Sequence, residues 1–459
     1  MSYDEKKTGF PPEVEPAPSG NPVRHGSVSE DVLKHSHDAD EAMKAFAGHT
    51  GEIIEIDEAT NKRLLRIIDF NLIPTDVRSN NVKIMCVVYG LNYLDKTTLS
   101  YASIMGLKKD VGLVGNDYQW LGSMFYFGYI AWEYPTNRLL QRLPIGKYSA
   151  ACVIAWGLVL SCFAAVNSFA GAVAIRFMLG VCEAAVTPGF ALITSQWYTR
   201  KEQGARTGIW FSFNGWAQIF GGLVAYGIAK GTANHQTSIA GWKIVFLLTG
   251  LLTVVVGIIF LFTVPDNQLN ARWLSKEDRI LALERIRINQ QGVGNKHFKW
   301  YQVREALLDP ITWAFFLYAL VSVTMSSGPW RLFENPTNTA THRFEIADIP
   351  NGGISNFFSQ LITSFGYTAE QSLLYGTPGG AVEVITLIVG GWLGDRIGNR
   401  ILVASFGMIA SIIGMALIVG LPLDNNKGRL GGYCKHTDGC NPWKMSETLA
   451  DPTTHCFEI

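Results

Sequence analysis

Apolar runs of about 20 residues, the length that crosses a bilayer as a helix, recur along this chain and constrain its fold. Six such runs lie near 81–105, 118–139, 148–167, 170–195, 205–229 and 239–263. Of the 459 residues, 48% are hydrophobic and only 17% are charged, so the composition also favours lipid as the solvent. The sequence therefore predicts an all-α integral membrane protein.

A polar, charged segment at 265–308 follows the sixth run before apolar runs resume. Its Ser275 and Asp278 have the spacing of a helix N-terminal cap, which predicts a surface helix. Six spans followed by a cytosolic linker are typical of one half of a twelve-span transporter. We therefore predict a six-helix bundle at 81–264 and a second bundle after the linker.

The second bundle is predicted at 309–422 and is cut short. Its first span is interrupted by a polar stretch at 321–348, which we interpret as an unspliced insert. Two further spans are expected near 371–393 and 400–422, giving about nine spans in all. The remaining residues, 423–459, have no hydrophobic pattern and are interpreted as an aberrant polar tail.

The polar N-terminal segment and the loop charges predict the orientation. Residues 1–80 contain no run long enough to span a bilayer, so a disordered, cytosolic arm is expected. Lys and Arg side chains concentrate in cytosolic loops of membrane proteins. Here they follow the second and fourth spans, at Arg138, Arg142, Lys147, Arg200, Lys201 and Arg206. An N-terminus in the cytosol and a location in the plasma membrane are predicted.

Four charged residues lie inside predicted spans, at Asp95, Lys96, Arg176 and Glu183. A charge inside a span costs about 2.5 to 3.5 kcal/mol on insertion scales, so each of these residues is expected to have a functional or structural role. Arg176 and Glu183 are seven residues apart and share a helix face. Such a set can bind an anion and a proton alternately, with Asp95 and Glu183 as proton acceptors. The alternative is buried salt bridges that only hold helices together.

Neutral polar side chains in the spans are candidates for hydrogen bonds to a substrate: Tyr126, Asn214, Asn356 and Gln360. Ordinary contacts between helices are the alternative for each of them. Glu133 and Glu383 are weaker candidates, because Glu133 lies near the end of its span and Glu383 is expected to pair with another group.

The loop after the eighth span contains Gly391, Asp395, Arg396, Gly398 and Arg400. This pattern resembles the signature loop of the major facilitator superfamily, which follows the second span of each half. The resemblance implies that these residues brace helix ends while the halves rock, so they are gating residues. The copy after the second span of this chain is degenerate and lacks the aspartate.

The segments NYLDK in the first span and RFMLGVCEAAVTPGF in the fourth resemble the anion:cation symporter family, especially fungal permeases of the allantoate permease type. The resemblance extends over roughly 60–430 of this sequence. It implies a major facilitator fold of two six-helix halves. It also implies that Asp95 and Glu183 carry protons and that Lys96 and Arg176 bind the anion. Many members have Arg where this chain has Lys96.

The predicted function is proton-coupled uptake of a small organic anion, such as allantoate, ureidosuccinate or nicotinate, by alternating access. An exporter of a secondary metabolite, a non-transporting sensor and a non-functional truncated product are the alternatives. All nine histidines lie outside the spans, so a membrane-embedded enzyme with histidine-rich metal boxes is not expected. The sequence contains no G-x-x-x-x-G-K-[ST] phosphate-binding loop, which argues against an ATP-driven pump.

The expected partners are the anion, protons and the lipid bilayer, without nucleic acid or an obligate protein partner. No cofactor is predicted. The tail residues Cys434, Cys440, Cys456, His436 and His455 lack the paired intervals of a zinc site, so no metal is predicted either.

Overall fold

The chain is seen in a computed structural model that describes residues 56–72, 84–234, 239–287, 289, 300–314, 350–397 and the separate positions 413, 417, 428–430 and 433. Over these residues there is no β-strand. The helices are α1 Glu58–Leu72, α2 Ile84–Ile104, α3 Leu107–Asp110, α4 Asp117–Arg142, α5 Ile145–Cys162, α6 Phe169–Glu183, α7 Val186–Trp197, α8 Arg200–Asn234, α9 Gly241–Thr263, α10 Lys276–Arg287, α11 Trp300–Leu308, α12 Pro350–Ser364, α13 Ala369–Tyr375 and α14 Thr377–Ile397.

Helix α2 and helices α4 to α9 follow the six predicted apolar runs of the first bundle, and the short helix α3 lies between the first two runs. The fourth run forms two consecutive helices, α6 and α7, that meet beside Ala184 and Ala185. Pro188 lies in the first turn of α7, where a missing backbone N–H removes no helical hydrogen bond. The all-helical fold class is therefore confirmed over the described residues.

Four helical segments of the described chain are long and apolar enough to cross a membrane: Ile145–Ala165, Phe169–Trp197, Gly241–Thr263 and Ala369–Gly390. Helix α2 falls outside this set because Asp95 and Lys96 interrupt its apolar sequence. Charged residues in the middle of a helix lower its hydropathy even where the helix is buried in a bundle. The count of about nine spans stays a prediction.

Helix α2 packs against α8, α9 and α12, and most of its residues are buried. Helix α4 packs closely on α6, where glycines bring the two backbones together. A Cβ atom on Gly180 would lie 2.0 Å from the carbonyl oxygen of Phe125, and one on Gly128 would lie 2.1 Å from that of Phe177. Only glycine fits this crossing, which fixes Phe125 beside α6.

Helices α8 and α14 also cross through glycine. A Cβ on Gly215 would lie 2.3 Å from the Gly380 carbonyl oxygen, and one on Gly380 would lie 2.5 Å from the Gly215 carbonyl oxygen. Tyr433, which the sequence analysis placed in an aberrant tail, is fully buried here. Its hydroxyl accepts a hydrogen bond of 2.7 Å from Gln218 Nε2 of α8. At least this residue of 423–459 belongs to the packed molecule.

Part of the N-terminal arm is also packed, which differs from the disordered arm expected for 1–80. Residues Glu58–Leu72 form α1, because Leu64, Ile68 and Leu72 recur at a helical interval and are buried. A regular apolar stripe gives a helix a face to bury even when the segment is rich in charge. Residues 1–55 lie outside the described residues.

Ion pairs connect α1 to α8 and to the linker helix α10. Asp69 of α1 accepts hydrogen bonds of 3.4 and 2.9 Å from Nε and Nη2 of Arg206, and Arg63 pairs with Asp278. The Asp278 backbone N–H donates a hydrogen bond of 3.0 Å to Ser275 Oγ, as the capping pattern predicted. Arg285 of α10 pairs with Glu202 of α8, which completes the network.

The second bundle is described only in part. Helix α12 begins at Pro350, which suits the first position of a helix. The eighth predicted span, near 371–393, forms α13 and α14 with a break at Gly376. The insert at 321–348 and almost all of the ninth span near 400–422 lie outside the described residues. The predicted domain boundaries stay predictions.

Candidate functional site

The structure brings the four charged residues of the predicted spans together as two ion pairs between α2 and α6. Lys96 pairs with Glu183, and Asp95 pairs with Arg176. Each pair therefore takes one member from each helix. The adjacent positions of Asp95 and Lys96 and the two-turn spacing on α6 are what align the partners.

The first pair is the more accessible one. Lys96 Nζ donates hydrogen bonds to Glu183 Oε1 and, over 2.8 Å, to Asn92 Oδ1 one turn earlier on α2. The Lys96 side chain is 23% exposed, whereas the Glu183 side chain is fully buried. Lys96 is thus the cation of the site that a dissolved molecule can reach.

The second pair lies deeper. Arg176 is 1% exposed and its Nη1 atom is 3.8 Å from Asp95 Oδ1, while its Nε donates a hydrogen bond of 3.2 Å to the Leu121 carbonyl oxygen. The indole Nε1 of Trp156 on α5 donates a hydrogen bond of 2.6 Å to Asp95 Oδ2. A neutral side chain, rather than the arginine, makes the short hydrogen bond to this carboxylate.

Phe125 of α4 lies against both cations. Its ring centroid is 5.7 Å from Lys96 Nζ and 5.2 Å from the guanidinium carbon of Arg176. The face of an aromatic ring attracts cations at such distances, and the attraction grows when water is excluded. The glycine crossing of α4 and α6 sets this arrangement, since it holds the Phe125 backbone against Gly180.

The site contains two cations and two carboxylates and so carries no net charge when all four are ionised. Asp95 Oδ1 and Glu183 Oε2 have no hydrogen-bond partner within the described chain. A carboxylate oxygen without a donor is a position where a proton can bind. The arrangement can therefore exchange protons, and a protonated Glu183 would leave Lys96 available to another anion.

Of the neutral candidates, Tyr126 and Asn356 lie next to the charged cluster. The Tyr126 hydroxyl is within electrostatic range of Lys96 and Glu183, and the Asn356 side chain lies close to it. Asn356 of α12 also lies against Gly122, whose Cβ would be 3.6 Å from the amide carbon. These two residues connect the cluster to the second bundle.

Gln360 lies one turn further along α12 and outside the cluster. Its Oε1 accepts a hydrogen bond of 2.7 Å from Nζ of Lys108, which belongs to the connection between α2 and α4. Burial lowers the pKa of Lys108 from its ordinary value. Gln360 therefore takes part in a contact between the two bundles and is not adjacent to the ion pairs.

Asn214 is buried on α8 next to Gly215, at the crossing with α14, and not beside the ion pairs. Nearby, the Tyr93 hydroxyl donates a hydrogen bond of 3.5 Å to Gln218 Oε1. Glu383 of α14 is buried and lies within electrostatic range of Tyr93. This second polar cluster joins α2, α8 and α14. Glu133, in contrast, is exposed on α4.

Sequence reasoning missed four residues that contact the charged groups or the second cluster: Asn92, Phe125, Trp156 and Gln218. Asn92 precedes Lys96 by one helical turn, and this spacing is a signal that could have identified it. Phe125 and Trp156 resemble the other aromatic residues of apolar runs, so the sequence holds no comparable signal for them.

The predicted gating residues are described only as backbone or not at all. Gly391, Asp395 and Arg396 lie in the last turns of α14, whereas Gly398 and Arg400 lie outside the described residues. Their role stays a prediction. The cysteines and histidines of the tail also lie outside the described part of the chain.

Comparisons with known proteins agree with this architecture. A family model described as Major Facilitator Superfamily matches residues 85–426. An uncharacterized transporter of Schizosaccharomyces pombe is 40% identical over 382 residues, which cover 83% of this chain and 67% of the relative. The allantoate permease of Saccharomyces cerevisiae is 34% identical over 414 residues, which cover 87% of this chain and 69% of the permease. The chain thus spans about two thirds of the length of these relatives.

Among solved structures, the proton:xylose symporter XylE superposes with a TM-score of 0.53 at 14% identity, covering 85% of this chain and 82% of XylE. At this level of identity the likeness concerns the fold alone.

Proposed function

The chain belongs to the major facilitator superfamily, and on that premise we propose that it is a proton-coupled permease that takes up a small organic anion. The family and the relatives are transporters and not enzymes, and the protein is a membrane protein. Alternating access would come from two six-helix halves rocking around a site near the middle of the bilayer.

The ion pair between Lys96 and Glu183 is the observation that carries this proposal. Lys96 is the accessible cation and it is already occupied by a buried carboxylate. An incoming anion can take the place of this carboxylate only if Glu183 loses its negative charge. Binding of a proton to Glu183 would remove that charge and free Lys96. Proton binding and anion binding then favour each other, which is the requirement for symport.

The charge balance supports the same conclusion. The four ionised groups sum to zero, and a monovalent anion alone would leave a net negative charge in a buried site. A buried charge without a partner is costly, whereas one added proton restores neutrality. Arg176 and Asp95 would supply a second cation and a second proton acceptor. We expect at least one proton to enter with each monovalent anion.

The substrate is proposed to be a small carboxylate such as allantoate, ureidosuccinate or nicotinate. A single flexible ammonium group at Lys96 suits a compact anion, because Lys is a point charge whereas Arg forms a rigid fork. One relative is named an allantoate permease. Uptake from the medium further implies a plasma-membrane protein with its N-terminus in the cytosol, in agreement with the basic loops after the second and fourth spans.

Uptake measurements test this proposal. The full chain is expressed in yeast lacking its own permeases and is supplied with labelled allantoate, ureidosuccinate, nicotinate or pantothenate at two external pH values. We expect one compound to accumulate, and to accumulate faster at the acid pH. Glu183→Gln should abolish proton-driven accumulation while exchange of internal for external substrate persists, since the glutamine keeps the shape but cannot be charged.

Glu277→Gln is the matched control, because it makes the same chemical change on the exposed surface of α10. It should transport as the wild type does. A Glu183→Gln variant with an unaltered pH dependence would contradict the proposal. Absence of uptake by a protein shown to reach the plasma membrane would instead favour an exporter.

A further inference from the structure

Trp156 makes the shortest described hydrogen bond to Asp95, and no role is yet assigned to it. The tryptophan is fully buried in the middle of α5, and Asp95 is fully buried on α2. The distance from Nε1 to Oδ2 is 2.6 Å. Arg176, the nearest cation, lies 3.8 Å from the other oxygen and makes no hydrogen bond to it. The indole is therefore the main directional contact of this carboxylate.

The donor and the acceptor of this hydrogen bond are fixed by their chemistry. An indole N–H can only donate a hydrogen bond, and a carboxylate can only accept one. The bond consequently stabilises the ionised form of Asp95 relative to its protonated form. Because Trp156 occupies Oδ2, the oxygen that remains for a proton is Oδ1, which faces Arg176.

We propose that Trp156 is a positioning residue for proton coupling, which holds Asp95 as a carboxylate with Oδ1 turned toward Arg176 and without a hydrogen-bond donor, so that Oδ1 is the atom that receives a proton. The inference rests on the proposed function, in which Asp95 is a proton acceptor. Trp156 touches neither the substrate nor the proton in this scheme. It sets the pH at which Asp95 becomes protonated and the oxygen that receives the proton.

Other charges also act on Asp95, and the test must separate them from the indole. They are Glu183 and Arg176 of α6, and Lys96 of the same helix as Asp95. None of them is altered by Trp156→Phe, which keeps an aromatic ring in the cavity and removes only the donor and part of the ring system. A change in the titration of Asp95 in this variant would therefore report the lost hydrogen bond.

Infrared titration of the purified full chain is the decisive experiment, because it needs no substrate. The carbonyl-stretch band of the protonated carboxyl group is assigned to Asp95 by its loss in Asp95→Asn. In Trp156→Phe we expect the midpoint of this band to move up by about one to two pH units, the equivalent of one hydrogen bond to a charged group. An unchanged midpoint would overturn the proposal, and so would a wild type in which Asp95 never binds a proton.

Trp210→Phe is the matched control. Trp210 is 1% exposed on α8 and its indole Nε1 has no hydrogen-bond partner within the described chain. The substitution thus removes the same buried group without removing a donor to a carboxylate. In Trp210→Phe, the midpoint of the Asp95 carboxyl band should equal that of the wild type. An equal shift in both tryptophan variants would show a general effect of losing an indole and would reject the proposal.

A second measurement covers the case in which Trp156→Phe does not fold. The indole N–H NMR signal of Trp156 in the wild type should change as Asp95 is protonated, and Asp95→Asn should remove this pH dependence. A signal that stays constant across the Asp95 titration would refute the hydrogen bond. Uptake that is independent of pH, together with the expected infrared shift, would reject the proposed proton coupling but leave the control of Asp95 protonation by Trp156 standing.

Discussion

Glu183 illustrates why the contribution of a buried charge to protein stability depends on its ion-pair partner. Its side chain is fully buried and its contact is the ammonium group of Lys96. Breaking a buried ion pair by removing one member costs about 3 to 5 kcal/mol, whereas replacing both members by neutral groups is often close to neutral. The pair is therefore expected to add little net stability compared with two neutral residues of similar size.

Two variants test this view of the pair. Lys96→Met should destabilise the protein by about 3 to 5 kcal/mol at alkaline pH, because it leaves the Glu183 carboxylate without a partner. The loss should shrink at acid pH, where a proton neutralises Glu183. The double variant, Lys96→Met with Glu183→Gln, should recover most of the stability but remain inactive in uptake. Thermal unfolding of the purified proteins at both pH values measures the effect. A double variant as unstable as Lys96→Met would contradict it.

The sequence was sufficient to identify the charged residues but not the way they pair. Asp95, Lys96, Arg176 and Glu183 stand out because charges inside a span are costly. The pairing depends on how α2 is rotated against α6, which no local pattern determines. Trp156 had no signal at all, since its polar atom matters only when the fold places it next to a carboxylate.

At the scale of elements, the crossing of α4 and α6 also shows that the site depends on how helices pack against each other. Gly128 and Gly180 allow the two backbones to touch, and this contact places the Phe125 ring against the two cations. A glycine inside a helix weakens it by roughly 0.5 to 1 kcal/mol relative to alanine, so a gain elsewhere must offset the cost. Here the glycines allow α4 to pack directly against α6, which places Phe125 beside the two cations.

Gly180→Ala tests this crossing. The new methyl group would meet backbone atoms, namely the carbonyl oxygen of Phe125 at 2.0 Å and the nitrogen of Tyr129 at 2.8 Å, which no rotamer change can move. We expect a destabilisation of about 1 to 3 kcal/mol, typical of overpacking, and a lower rate of uptake because Phe125 is displaced. Thermal unfolding and uptake rates measure the two effects.

The control for this substitution is Gly227→Ala on α8, where a Cβ would meet nothing within 4 Å. It should leave uptake unchanged and should stabilise the helix slightly, since alanine is the better helix former. If Gly180→Ala were as harmless as Gly227→Ala, the close contact between α4 and α6 would not be needed to build the site.

At the same scale, sequence patterns located the helices of the first bundle but missed the packed segments near the two ends of the chain. The runs that became α2 and α4 to α9 are long and apolar, so they can be detected without knowledge of the helices that they pack against. Helix α1 escaped detection because its apolar stripe is short and lies among charges. The burial of Tyr433 escaped because a single aromatic residue has no periodicity, and its place against α8 and Phe358 is a tertiary contact.

For the whole molecule, the contacts between the two bundles define which conformation is present. Three contacts join the first bundle to α12 near the C-terminal end of α2. The Ser359 backbone N–H donates a hydrogen bond of 3.0 Å to Ser100 Oγ, and the Tyr118 hydroxyl donates one of 2.7 Å to the Asn356 carbonyl oxygen. The third is the hydrogen bond from Lys108 to Gln360. The proposed cytosolic N-terminus would place this end of α2 on the outer side, and these contacts would then close the site to the outside.

Alternating access requires these contacts to break once in each cycle, and a cross-link tests that requirement. Ser100→Cys with Ser359→Cys, in a chain whose seven native cysteines are replaced by serine, places one thiol on each side of the buried contact in which the Ser359 backbone N–H lies 3.0 Å from Ser100 Oγ. A disulfide needs Cα atoms about 4.4 to 6.8 Å apart, so formation of the bond is first verified by the loss of both free thiols. An oxidant should then abolish uptake, and a reductant should restore it.

Each single cysteine variant is the control and should keep its uptake under the same oxidant. The result depends on the mechanism, because a carrier must open the outer end to load its substrate, whereas a protein that only senses an anion from the cytosolic side need not. Full uptake by a protein that is demonstrably cross-linked would mean that α2 and α12 stay together throughout the cycle. The outer entrance would then have to open between other helices.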